Sequence, residues 1–475
     1  MSIVQILIVL FVAFMIGAFL QRRSRLWAIF FLSLFCTYFF QPLVPLRNFD
    51  YWFPTFSILL TTITWFIVRK KNLAIDQDSL QAILFSILVI ILVALIRYLP
   101  FELPGLPASP PPLVQITFLV VVSALIAALF SMASSRRLGS WIFIIVLVGI
   151  FILIKSEPMA LWVSEHIRLL QGQSITLAST LDLHWLGFSY ISFRLMHTLR
   201  DHQNGRLPEN NLREFMTFVL FFPALVAGPI DRLERFIKDL RFSDPLSGDR
   251  TFEGSRRIVI GLLKKFVLAD ALAAFALNST NASFMSSPLW TWIVLYAYAF
   301  RIFLDFSGYT DIAIGIGLFS GIKLPENFDR PYLQSNLTSF WNSWHITLAR
   351  WFRSYFFNPV TRWLRSGPLR NLPALIILVG QVGTMALIGL WHGITWNFLI
   401  WGLWHGIGLF IHNRWVNYLR THRKPVLIAR LPTAVTRALG TVLTFHFTAL
   451  GWVWFALPEV GVSLKILGTL FGRTG

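Results

Sequence analysis

The chain has 475 residues, of which 56% are hydrophobic and only 13% are charged, and its mean hydropathy is +0.65. A soluble domain carries about 25% charged residues, so this composition excludes an ordinary soluble protein. The net charge of +19 sits in short basic clusters between apolar runs, which favours cytoplasmic loops and lipid headgroups over a nucleic-acid partner.

The chain begins with an apolar run, Met1 to Leu20, that lacks a basic leading segment and is followed by Arg22, Arg23 and Arg25. This pattern predicts a retained first helix rather than a cleaved signal peptide. The single cysteine, Cys36, lies in an apolar run and excludes a disulfide within the chain. We expect it to be a small buried residue, because nothing near it in the sequence would lower its pKa.

The first third of the chain predicts a series of membrane-spanning helices, since apolar runs of about 17–20 residues recur. The predicted spans are Ile3–Leu20, Leu26–Phe40, Trp52–Val68, Leu80–Ile96, Leu113–Met132 and Trp141–Ile154. Basic residues concentrate in alternate loops: Arg22, Arg23 and Arg25 in the first, Arg69, Lys70 and Lys71 in the third, Arg136 and Arg137 in the fifth. The alternation predicts a multi-pass protein of the cell (plasma or inner) membrane with its N-terminus outside the cytoplasm.

The pattern changes after Lys155. The stretches Leu183 to Arg241 and Asn327 to Pro368 mix apolar and polar residues, which favours re-entrant or interfacial segments. Clean apolar runs resume at Ile258–Leu272, Leu289–Phe306, Leu372–Leu390, Asn397–Ile411 and Val435–Phe455. We expect about ten to twelve spans in all, organised as N-terminal helices over residues 1–160 and a core over residues 161–475.

Three histidines lie in almost uncharged, tryptophan-rich sequence. They are His345, His392 and His405, and a glycine follows each of the last two. A neutral histidine near pH 7 can take a proton from a hydroxyl, and glycine lets a ligand or another backbone approach closely. Each histidine could instead bond a neighbouring helix. A metal site is not predicted, because His392 and His405 are 13 positions apart and would not share a helix face.

Charged residues near these histidines leave two interpretations open. Asp305 and Asp311 flank Ser307 at the end of an apolar run. A serine nucleophile at Ser307 is disfavoured, because the sequence around it lacks the nucleophile-elbow motif. We expect the two aspartates to pair with arginines or helix ends instead. A basic, aromatic stretch follows His345 and contains Arg350, Arg353, Arg362 and Arg365. It favours either an interfacial surface or a docking face for a phosphate-bearing donor or acidic lipid.

Four sequence blocks resemble the membrane-bound O-acyltransferase (MBOAT) family, in particular its bacterial branch of alginate O-acetylation and teichoic-acid D-alanylation membrane proteins. They are Phe221–Ile230, Gly261–Lys265 with Asp270, Asp305–Gly315 with its continuation to Leu348, and Trp391–Gly406. The chain departs from the family at Phe356–Thr361, where relatives usually carry a proline-glycine-glycine-like stretch. The resemblance implies an all-α protein, a ring of tilted helices with re-entrant segments around a central tunnel.

The resemblance also implies the chemistry. His392 matches the family's catalytic base and His345 its second polar catalytic residue. We take as candidate substrate-binding residues Asp305, Ser307, Tyr309, Asn342, Trp344, Trp391, Asn397 and His405. No bound cofactor is implied, because the donor is an acyl thioester, either acetyl-CoA or an acyl carrier protein.

The expected reaction is acetyl transfer to an extracellular polysaccharide, completed with an extracytoplasmic hydrolase-like partner. D-alanyl transfer to teichoic acid is the alternative within the family. A transporter or flippase, or a non-catalytic scaffold of a glycan-synthesis complex, is the alternative from another class. Concentration of the ionisable residues in one third of the chain favours an enzyme.

Overall fold

The computed structural model describes residues 2–70, 74–101, 103–108, 110–132, 136–242, 246–367, 369–422 and 431–473. Within these ranges every regular element is helical, and the strand-like pairing consists of one antiparallel bridge between Phe328 and Trp344. The predicted all-α class is therefore confirmed. Lys71 of the third basic loop and Pro368, the predicted end of the second irregular stretch, lie outside the described residues.

The helices are numbered here in chain order. The first eleven are α1 Ile3–Phe19, α2 Arg22–Phe39, α3 Phe49–Val68, α4 Gln77–Leu95, α5 Leu113–Met132, α6 Arg136–Lys155, α7 Glu157–Leu170, α8 Phe188–Gln203, α9 Leu212–Val219, α10 Leu233–Phe242 and α11 Gly248–Leu262. The rest are α12 Asp270–Ala273, α13 Ser279–Ala282, α14 Pro288–Phe319, α15 Leu337–Trp341, α16 Ile346–Phe352, α17 Asn358–Ser366, α18 Pro373–His392, α19 Trp396–Thr421, α20 Thr433–Ala456 and α21 Val460–Leu470. Two π-helical turns, Leu263–Ala269 and Arg353–Phe357, interrupt this series.

Seven of the described helices are long and apolar enough to cross a membrane. They lie at Phe49–Val68, Gln77–Tyr98, Leu113–Phe130, Arg137–Lys155, Pro288–Phe319, Pro373–His392 and Thr433–Ala456. This number is below the expected ten to twelve. Helix α1 is apolar but only 17 residues long, α2 opens with three arginines among its first four residues, and the predicted run Ile258–Leu272 is broken by a π-helical turn.

The structure groups into two compact units. The first comprises Met1–Ile258 and Ile312–Pro325, and the second comprises Val259–Asp311 and Glu326–Gly475. The boundary predicted at residue 160 follows the change of hydropathy pattern after Lys155, which is a different criterion from packing. The second unit contains all three histidines singled out in the sequence.

In the first unit, a buried arginine organises the sequence block that begins at Phe221. Helix α9 ends at Val219, and a helix end leaves backbone carbonyls without intrahelical partners. Arg194 of α8 donates to the carbonyl oxygens of Val219 at 2.7 Å and Ala224 at 2.6 Å. The guanidinium of Arg194 therefore satisfies carbonyl oxygens of the proline-containing block that follows the end of α9.

A second buried arginine in the first unit forms an ion pair. Arg168 donates to both carboxylate oxygens of Asp182 at 2.6 and 2.9 Å, and Ser164 donates to the same carboxylate at 2.6 Å. Burial alone would raise the pKa of Asp182, but the hydrogen bonds and charge of Arg168 outweigh it and hold that pKa below its usual range. The pair therefore stabilises the fold fully at neutral pH and loses this contribution only as the pH falls through the lowered pKa.

We predict that Arg168→Leu lowers the thermal stability of the detergent-solubilised protein, because it leaves the Asp182 carboxylate buried without its partner. Breaking a buried pair costs about 3–5 kcal/mol. The control is Arg256→Leu, since Arg256 pairs with Glu253 on the surface, where such pairs contribute about 0–1 kcal/mol. Size-exclusion profiles after stepwise heating measure both variants, and equal midpoints would contradict the prediction.

Candidate active site

His392 is the last residue of α18 and is half-buried. Its ring packs against Trp391 and Phe455 at centroid distances of 4.6 and 4.7 Å, and against Trp401 and Phe398 at 5.6 and 5.9 Å. The helix stops here because Gly393 adopts an extended backbone conformation. His392 thus lies at the turn between α18 and α19, enclosed by aromatic rings but still accessible.

His345 precedes α16 and is only 2% exposed. Its backbone is left-handed, with φ 42° and ψ 53°, a conformation that few residues other than glycine adopt. Among the described residues, no other residue hydrogen-bonds either ring nitrogen. Burial lowers the pKa of this imidazole to about 3, so the ring is neutral at physiological pH.

His405 lies in α19 and is fully buried. Aromatic rings surround it, with Trp401 at 5.0 Å, Trp341 at 5.3 Å and Phe447 at 5.8 Å. Neither ring nitrogen has a hydrogen-bond partner within the part of the chain that the structure describes. The following Gly406 lets α19 approach α18, because a Cβ atom there would lie 2.7 Å from the Cα of Val382. A glycine at this position was expected to let either a ligand or another backbone approach closely, and the structure shows the approach of another backbone.

Two tryptophans join the three histidines into one cluster. Trp391 contacts both His345 (6.1 Å between ring centroids) and His392, and Trp401 contacts both His392 and His405. We call these five side chains the histidine cluster. The structure therefore brings together residues from three separate parts of the second unit: the segment before α16, the end of α18 and the middle of α19.

The predicted aspartates form ion pairs with lysines. Asp305 accepts from Lys265 at 2.5 Å, and Asp311 accepts from Lys264 at 2.7 Å. Both lysines lie on the first π-helical turn, so two of the four resemblance blocks are held together by charge. Structural pairing of Asp305 and Asp311 was predicted, but with arginines or helix ends rather than lysines as the partners.

Other predicted substrate-binding residues are buried near the cluster. Trp344 is 4% exposed and packs on Phe340 and Trp452 at 5.7 and 5.0 Å. Ser307 and Tyr309 are buried in α14, and no residue that the structure describes hydrogen-bonds the Ser307 hydroxyl. Buried polar groups are normally paired, which makes this hydroxyl a candidate for contact with a ligand or water.

The two predicted asparagines have other partners in the structure. Asn342 is exposed and accepts a hydrogen bond from Arg353 at 2.8 Å. Asn397 is buried and donates to the Leu457 carbonyl oxygen at 2.7 Å and to the Ser463 hydroxyl at 2.9 Å. The amide of Asn397 therefore ties the start of α19 to the C-terminal helices.

Two features of the site were missed from the sequence. A cavity of about 180 Å³ is lined by Trp341, Arg353, Gln381 and residues of α18, and Trp341 also contacts His405. Asn327 is completely buried and accepts hydrogen bonds from the backbone and hydroxyl of Thr347. The sequence placed Asn327 in a resemblance block but gave no signal of this contact, which joins segments 20 residues apart.

Comparison with known proteins identifies the family of this chain. Residues 138–431, more than half of the chain, match the membrane-bound O-acyltransferase family. The chain belongs to this family. It is therefore a multi-pass membrane O-acyltransferase, and the enzyme prediction is confirmed.

Named relatives carry two kinds of acyl transfer. A teichoic acid D-alanyltransferase of Streptococcus thermophilus is 31% identical over 76% of this chain and 86% of its own length. A peptidoglycan O-acetyltransferase of Helicobacter pylori is 36% identical over 55% of this chain and 47% of its own length. A probable alginate O-acetylase of Azotobacter vinelandii is 34% identical over 60% and 53%, respectively.

We predict that Gly308→Ala sharply reduces the amount of folded protein. A Cβ atom at Gly308 would lie 2.8 Å from the Gly261 carbonyl oxygen and 2.9 Å from the Lys265 nitrogen, so α14 and the lysine-bearing turn would have to separate. Gly383→Ala is the matched control, because its Cβ would meet its nearest neighbour at an ordinary 3.5 Å. Size-exclusion chromatography of solubilised membranes measures both, and equal yields of folded protein would refute the close-approach argument.

Proposed function

We propose that this enzyme transfers an acetyl group from a thioester donor to a hydroxyl of an extracellular polysaccharide, with His392 as the general base. The observation that carries the proposal is the position of His392. It is the one member of the three-histidine set whose side chain is half-buried rather than buried, so it alone combines an apolar enclosure with access for a substrate. The peptidoglycan and alginate relatives named above support acetyl as the group.

The proposed reaction is a direct transfer. His392 takes the proton of the acceptor hydroxyl as that oxygen attacks the thioester carbonyl. The new carbon–oxygen bond forms, the carbon–sulfur bond breaks, and the thiolate receives the proton from the imidazolium. No acyl-cysteine intermediate is proposed, because Cys36 is completely buried in α2.

His345 has the second catalytic role in this proposal. Its ring is neutral and buried, and no other described residue hydrogen-bonds its nitrogens, which suits a hydrogen bond to a reacting group. The His345 ring contacts Trp391, and Trp391 in turn contacts the ring of His392. A fixed hydrogen bond in an apolar site is stronger than one in water, which suits orientation of a hydroxyl or polarisation of a carbonyl.

The donor is proposed to approach from the basic side of the second unit. Arg353, Arg362 and Arg365 are exposed, and so is Trp363. This surface suits either acetyl-CoA or an acyl carrier protein, both of which carry phosphate. Two further partners are proposed: an extracytoplasmic hydrolase-like protein that completes the transfer, and the lipid of the plasma membrane. The proposed orientation has the N-terminus outside the cytoplasm.

D-alanyl transfer to teichoic acid is the second candidate. It is favoured by the match to the Streptococcus thermophilus enzyme, since that alignment covers 76% of this chain. Both candidates use the same base and the same thioester chemistry. They differ in the acyl group and acceptor, so the product distinguishes them directly.

We predict that His392→Ala reduces acyl transfer by ~10²–10⁴-fold at an unchanged membrane level, because removal of a general base typically costs that much. The matched control is His166→Ala, since His166 is exposed and bonds the carbonyl of its own helix. Acyl groups on the surface glycan, normalised to protein abundance, measure both variants. Normal acylation by His392→Ala would refute the assigned base and favour a transporter or scaffold.

We predict further that mild alkaline release from the glycan of cells making the wild-type protein yields acetate, and that His392→Ala cells lack it. Mass spectrometry of the released acids separates acetate from D-alanine. Histidine-dependent release of D-alanine would replace the acetyl proposal with the alternative and leave the role of His392 intact.

A further inference from the structure

Helix α16 begins without the usual capping side chain. A helix N-terminus leaves backbone N–H groups unpaired, and a Ser, Thr, Asp or Asn at the residue before the helix usually accepts from one of them. Here that residue is His345, and its side chain makes no capping hydrogen bond. The imidazole of His345 therefore does not cap the helix that it precedes.

Asn327 supplies the missing acceptor from outside the helix. Its Oδ1 atom accepts from the Thr347 backbone nitrogen at 3.3 Å and from the Thr347 hydroxyl at 2.6 Å. Its backbone oxygen accepts from the nitrogen of Ile346 at 3.0 Å. The backbone N–H of Thr347 can only donate, so the amide of Asn327 must present its oxygen to it.

The same segment holds the backbone on the other side of His345. The Asp329 nitrogen donates to the Ser343 carbonyl oxygen at 3.0 Å, and Phe328 and Trp344 form the antiparallel bridge. Hydrogen bonds therefore flank His345 at both ends, and the residue between them is left-handed. Left-handed non-glycine residues persist when the surrounding structure over-determines them, and they cluster at functional sites.

We infer that Asn327 and Thr347 are positioning residues for the acyl-transfer reaction, which fix the backbone of His345 and so the direction of its ring. This inference rests on the catalytic role proposed for His345. The short bond between the Thr347 hydroxyl and Asn327 joins α16 to the upstream segment through buried side chains. Without it, the buried imidazole keeps its neighbours but loses its fixed orientation toward Trp391.

The test compares Thr347→Val with Thr347→Ser. Valine keeps the size and branching of threonine but removes the hydroxyl donor, whereas serine keeps the donor. We expect Thr347→Val to lower kcat about 10- to 100-fold with little change in KM for the donor, because misplacement of a reacting group by about 1 Å costs ~10²-fold. Thr347→Ser should retain kcat within a few-fold. Initial rates in purified membranes, with acetyl-CoA as the donor and the surface glycan as acceptor, measure both.

Two further variants complete the experiment. Thr217→Val is the control for loss of a buried hydroxyl, since Thr217 is buried and bonds only the Arg213 carbonyl of its own helix; it should retain wild-type kcat. His345→Ala tests the proposed function separately. Wild-type activity in His345→Ala would overturn the catalytic role of His345, and with it the basis for the inference.

The remaining outcomes decide the inference itself. Loss of activity in His345→Ala together with normal kcat in both Thr347 variants would overturn the positioning role and leave the proposed function standing. Equal losses in Thr347→Val and Thr347→Ser, or a loss matched by lower protein abundance, would show a packing role and also overturn it. A selective kcat loss in Thr347→Val alone supports it.

Discussion

Packing of imidazole rings against indole rings is the interaction on which the candidate site depends. Trp391 and Trp401 each contact two of the three histidines, so the relative placement of His345, His392 and His405 follows from ring packing. Aromatic surroundings keep the two buried imidazoles from water. In such a low-dielectric site, one hydrogen bond or one proton has a larger electrostatic effect than it would in solvent.

Such a cluster requires support from groups outside it, since buried polar atoms without partners destabilise a fold. In the second unit the support is of three kinds. Gly406 allows α18 and α19 to approach closely, the Lys264–Asp311 and Lys265–Asp305 pairs fix the turn beside α14, and Asn327 caps α16 in place of His345. These contacts fix the segments around the cluster, and the acceptor supplied by Asn327 leaves the His345 side chain uninvolved in capping α16.

The sequence predicted the class of the fold, and it singled out three histidines that the structure brings together. Long apolar runs dictate helices, and histidines in nearly uncharged tryptophan-rich sequence stand out because polar groups are costly in a membrane. Seven of the described helices have the length and composition of a membrane span, fewer than the ten to twelve expected, since α1 is short and a π-helical turn follows α11.

Contacts between distant segments were beyond sequence reasoning. Asp305 and Asp311 pair with lysines rather than arginines. The partners follow from the way the π-helical turn Leu263–Ala269 packs against α14. Asn397 is a candidate substrate-binding residue whose side-chain nitrogen also bonds the Leu457 carbonyl and the Ser463 hydroxyl, and these contacts depend on how α19 meets the C-terminal helices. The hydrogen bonds between Asn327 and Thr347 join segments that are 20 residues apart. A contact of this kind leaves no periodic pattern in the sequence.

The most direct test of the account is a structure of the protein with a non-hydrolysable thioether analogue of the acetyl donor. We expect the analogue's carbonyl to lie against the accessible ring of His392, within the enclosure formed by Trp391, Trp401 and Phe455. A carbonyl bound in a position remote from His392 would refute the assigned base.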